Sequence, residues 1–125
     1  MNMRSLLIVT ALIEAATGVA LLAVPSATAT LLLGDELSSP QALVVGRVAG
    51  AALISIAVTC WLGRIGDHRA AQKGLVAGVL IYDVTIPLLL MYAAFAYKMH
   101  GIGLWPASAL HIVLATWCVA CLRLR

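Results

Sequence analysis

Charge is what this chain has least of: five acids and eight Lys and Arg amount to 10% of its 125 residues. Soluble domains carry roughly a quarter charged residues, so an ordinary water-soluble domain is excluded. No basic run with interleaved aromatics accompanies the net charge of +3, which excludes a nucleic-acid surface. The three histidines show no HxxxH or paired pattern. A zinc or haem centre needs several converging ligands, so no metal site is expected and His111 alone does not make one. Of the three cysteines, Cys118 and Cys121 form a CxxC and Cys60 lies at a similar depth on another apolar run. No thioredoxin-like context surrounds them, and they read as small apolar packing residues. Phosphate loop, nucleophile elbow and kinase motifs are missing too, so the sequence names neither an enzyme class nor a cofactor.

What is present is apolar length. Hydrophobic residues make up 63% of the chain and its mean hydropathy is +1.06, which marks an integral membrane protein. The chain has room for four spans of about 20 residues and no separate soluble domain. The expected fold is all-α, a single four-transmembrane-helix bundle with helices at about 5–25, 40–62, 70–97 and 104–122. The first run, Ser5 to Val24, follows Arg4 and is closed by Pro25. With Ala27-Thr28-Ala29 after it, the run has the look of a signal peptide, but it is longer than such apolar regions and holds Glu14, so it is read as a retained helix. Ser26 to Pro40, with Leu31-Leu32-Leu33, is expected to lie at the interface as a connection. Ser39-Pro40 reads as an N-cap followed by proline at the first helical position. Gly63 to Lys73 is a polar break containing Arg64, Asp67, His68 and Arg69, Lys98 to Gly103 is a tight turn, and Trp105-Pro106 opens the last helix.

Bases fix the expected orientation. Arg4, Arg64, Arg69, Lys73, Arg123 and Arg125 fall on one side and Lys98 alone on the other, so both termini are expected on the cytoplasmic side of the inner membrane. Trp61 near the inner boundary, and Tyr92, Tyr97 and Trp105 near the outer one, stand where interfacial anchors belong.

Each expected span carries one ionisable residue: Glu14, Arg47, Asp83 and His111. At a rise of about 1.5 Å per residue, Glu14 and Asp83 lie roughly 13 Å from the cytoplasmic boundary, and Arg47 and His111 roughly 10 Å from the outer one. Isolated charges at that depth cost several kcal/mol, so an acid-arginine-acid cluster with His111 and Tyr82 nearby is expected. Small residues at Gly18, Gly46, Gly50, Gly74 and Gly78 are expected to let helices pack closely. Pro87, four residues after Asp83, deprives the carbonyl of residue 83 of its helical partner and is expected to kink the third span there.

The mid-span acid of helix one, Arg47-Val48-Ala49-Gly50 opening helix two, Tyr82-Asp83 in helix three, and Trp105 with His111 in helix four together resemble the small four-helix bacterial proteins of the DoxX-like kind. That resemblance implies an inner-membrane bundle and hints at a redox partner. Glu14 with Ala11 and Gly18 also resembles the glutamate helix of small multidrug resistance transporters, but the one-sided bases and Arg47 argue against that family. The favoured function is an accessory or scaffolding subunit, with a second copy or another membrane subunit as partner. The alternatives are a proton-coupled small-molecule carrier and a small quinone-linked redox component.

Overall fold

The computed structural model describes residues 2–65 and 69–123. Asp67 and His68 of the polar break and Arg125 of the base count lie outside the described residues. Among the described residues five helices follow one another: α1 (Met3–Ala23), α2 (Pro25–Leu33), α3 (Pro40–Gly63), α4 (Arg69–Ala96) and α5 (Leu104–Arg123). All but α2 are long and apolar enough to cross a membrane. The chain is therefore an all-helical, multi-pass membrane protein. Its surface is turned inside out relative to a soluble domain, with Val45, Ile81, Leu88, Phe95 and Val113 among the exposed side chains.

Local signals explain the helix ends. Ser39 Oγ accepts from the Ala42 amide at 3.1 Å, and Pro40 occupies the first turn of α3, where its missing N–H is no loss. Helix α4 passes through Pro87 without interruption and ends in a capping turn at Lys98, whose φ is 58°. Across that turn the Met99 amide donates back to the Ala93 carbonyl at 3.3 Å.

The connection between the first two spans is itself helical, which the sequence does not announce. Its nine residues, PSATATLLL, are too few to hold a helix in isolation. Tertiary contacts hold it instead. Gly34 closes α2 with a left-handed φ of 89°, the His100 amide donates to the Leu33 carbonyl at 3.1 Å, and the Gly103 amide donates to that of Leu31 at 2.8 Å. Gly101 is pressed so near that a Cβ there would stand 2.2 Å from the carbonyl carbon of Leu32.

The spans associate as two close pairs, α1 with α3 and α4 with α5. Within the first pair the backbones meet at Gly18 and Gly50, where a Cβ on either would come within 2.8 Å of the other's carbonyl oxygen. Gly46 packs near Leu37 and Pro25. Gly74 and Gly78 do not act as expected, because a Cβ at either would meet nothing within 4 Å. They face a groove of about 350 Å³ between α3 and α4 instead. The two pairs join through an apolar core that includes Leu6, Leu7, Cys60, Val76, Leu114 and Cys118.

Glycine substitutions should separate these environments. Gly50→Ala pushes a methyl against backbone and should lower stability by about 1–3 kcal/mol. Gly74→Ala has open space and should hold or gain stability through helix propensity, by up to about 1 kcal/mol. Denaturant unfolding in detergent reads both, and equal losses would contradict the crossing at Gly18 and Gly50.

Candidate functional site

Three spans each send one titratable side chain to the junction of the two helix pairs. Glu14 of α1 is 1% exposed, Asp83 of α4 is 0% and His111 of α5 is 8%. Their donor atoms lie within 4.8 Å of one another. Helical geometry makes the meeting straightforward: Glu14 shares the inward face of α1 with Ala11, Leu7 and Gly18, and Asp83 shares that of α4 with Val76, Val79 and Pro87.

His111 Nδ1 and Asp83 Oδ1 share a hydrogen bond at 2.8 Å. Tyr82, beside Asp83 on α4, donates its hydroxyl to Glu14 Oε2 at 3.3 Å. Its ring meets the imidazole edge-on, with centroids 5.4 Å apart. The Cys118 thiol points to Asp83 Oδ2 at 3.9 Å. Glu14 Oε1 is buried with no partner, and so is Thr10 Oγ1, one turn earlier on α1.

Arg47 is not part of this junction, a correction to the expected acid-arginine-acid cluster. It is exposed, and its Nε donates to the Leu22 carbonyl at 3.3 Å. The crossing of α1 and α3 explains why. Gly18 lies opposite Gly50, so Arg47 stands nearly a turn on one side of the crossing and Glu14 a turn on the other, about 10 Å apart along the axis. What Arg47 reaches is the last turn of α1, where the break at Val24 and Pro25 leaves carbonyls without helical donors. A guanidinium there caps the orphan oxygen and suits the negative end of the helix dipole. Among the described residues the one acid-base pair within 4 Å is His111 with Asp83.

Of the expected site residues, then, Glu14, Tyr82, Asp83 and His111 come together, and Pro87 is buried one turn beyond Asp83. Cys118 is a member that the sequence reading did not assign, and Thr10 is buried one turn before Glu14. Spacing offered a signal for each: Thr10 precedes Glu14 by one turn, and Cys118 follows His111 by two. Comparison with protein-family models, with curated proteins and with solved structures finds no match.

The junction is buried and hydrogen-bonded, so its members should be unequal in cost. Tyr82→Phe strands the second oxygen of Glu14 and should cost about 1–3 kcal/mol. Arg47→Leu, which removes only an exposed cap, should cost less than about 1 kcal/mol. The double variant Arg47→Leu/Glu14→Gln should be additive within about 0.5 kcal/mol, because the two groups share no partner. Thermal unfolding in detergent of the wild type, these variants and Glu14→Gln alone measures this, and a large coupling would return Arg47 to the junction.

Proposed function

We propose that this protein is an accessory or scaffolding subunit of the bacterial inner membrane, with both termini cytoplasmic, which docks a transmembrane helix of a partner subunit on α4. The carrying observation is that Gly74 and Gly78 face outward with nothing within 4 Å. Glycines one turn apart on a membrane helix offer a strip where another backbone can approach closely. The groove they line, with Ile56, Thr59, Leu75 and Tyr82, is mostly apolar, as a helix seat in a membrane would be.

A carrier would need a wet route to Glu14 or Asp83, and both are enclosed at 1% and 0% exposure. That enclosure ranks the carrier reading lower. The resemblance to DoxX-like proteins agrees with a subunit role, and six of the chain's seven loop and end bases on one side support the orientation.

A photo-crosslinking residue in place of Thr59, which is exposed and lines the groove, tests the seat in living cells. The expected product is a single adduct whose peptides identify one membrane protein. Gly78→Leu should abolish it, while Leu88→Ala, elsewhere on α4, should not. A dimer of this chain alone would replace the hetero-partner with a second copy, and adducts with lipid only would overturn the proposal.

A further inference from the structure

Polar atoms that remain unpartnered among buried titratable side chains call for a ligand. Glu14 Oε1 is buried without a hydrogen-bond partner on a side chain only 1% exposed. Its carboxylate stands with a carboxylate oxygen of Asp83 and an imidazole nitrogen of His111, all within 4.8 Å of one another. We propose that this junction is a binding site for one divalent first-row transition-metal ion, with Glu14, Asp83 and His111 as its protein ligands.

The donor set defines the class of ion. One nitrogen and two carboxylate oxygens suit Zn²⁺, Mn²⁺ or Fe²⁺ better than Ca²⁺, which takes six or more oxygens, or Cu⁺, which prefers sulfur. Ligand atoms bonded at about 2.0–2.2 Å stand some 3–4 Å apart around a metal, so contraction of the widest separation in the cluster by about 1–2 Å closes the site. Charge balances as well. Two carboxylates and a neutral imidazole around a dication give a neutral centre, which is the form that hydrocarbon surroundings tolerate. Tyr82 then orients the ligand Glu14 through its hydroxyl, the outer-shell role that fixes a metal-bound carboxylate. The ion would tie α1 to α4 and α5 at the point where the two helix pairs meet, and the site stands or falls independently of partner docking on α4.

Nearby thiols are the rival ligands, since Cys118 contacts Asp83 and Cys60 and Cys121 are buried and free. Full-length protein in detergent, stripped with chelator, is incubated with Zn²⁺, passed through gel filtration and assayed by elemental mass spectrometry. The expected content is about one Zn²⁺ per chain for the wild type and for Cys60→Ala/Cys118→Ala/Cys121→Ala. Glu14→Gln, whose amide oxygen still accepts from Tyr82, should reduce binding at least tenfold, and Tyr82→Phe should weaken it by about 10-fold. Zn²⁺ should raise the melting temperature of the wild type and leave that of Glu14→Gln unchanged. Wild-type protein loaded with Co²⁺ supplies a readout that needs no variant: weak visible bands without sulfur-to-metal charge transfer. Retention below about a tenth of an ion per chain, equal retention in Glu14→Gln, or a strong thiolate band in the Co²⁺ spectrum would each overturn the site.

Discussion

A polar side chain in hydrocarbon has no water to fall back on, and the arrangement of this bundle depends on that constraint. Apolar helices gain little by leaving lipid for one another, so close backbone contact and directed hydrogen bonds decide which helices pair. The backbone crossing at Gly18 and Gly50 joins α1 to α3. Tyr82 to Glu14, and His111 to Asp83, join α1 to α4 and α4 to α5. Removing these contacts would leave mostly interchangeable aliphatic surfaces. The polar junction thus supplies register between the two pairs, while the apolar core near Leu6, Cys60 and Val76 supplies area.

Arg47 illustrates a second way to satisfy the same constraint. Its charge is met by a helix end rather than by a carboxylate. A span that stops inside or near the membrane leaves its last carbonyls without donors, and those carbonyls form a partial negative charge as surely as a carboxylate forms a full one. Counting only Asp and Glu as partners for a membrane arginine therefore overlooks the backbone. Pro25, one residue past the break, is the mark in the sequence that such an end exists.

How far the chain could be read in advance follows from the same physics. The spans were legible because hydrocarbon thickness sets their length and apolar residues fill it, and α3 begins at Pro40, where a serine cap and a proline coincide. Membership of Glu14, Tyr82, Asp83 and His111 in one interior set was legible from the expense of leaving ionisable groups in lipid. Depth was not, because an offset of a few residues along antiparallel helices is set by where their backbones touch, and only one of several glycine pairs is that place. Gly74 and Gly78 have the same spacing as Gly46 and Gly50, yet they face open space. Helix α2 was hidden for a different reason, since its stability comes from the α4–α5 turn and not from its own nine residues.

The choice of residues at the junction carries information beyond its geometry. If the only task were to pin α1 to α4, an amide at position 14 would accept the Tyr82 hydroxyl as well as Glu14 does, without the cost of a carboxylate in hydrocarbon. The same holds at position 83, where an amide oxygen would accept from the imidazole. The chain instead places two acids and one imidazole together and leaves one acid oxygen and the Thr10 hydroxyl unpartnered. An unpartnered buried acceptor costs about 1–3 kcal/mol, which a purely structural contact gives no reason to retain. A dication between two carboxylates and an imidazole nitrogen would satisfy both acids and the orphan oxygen at once, which a third hydrogen bond would not.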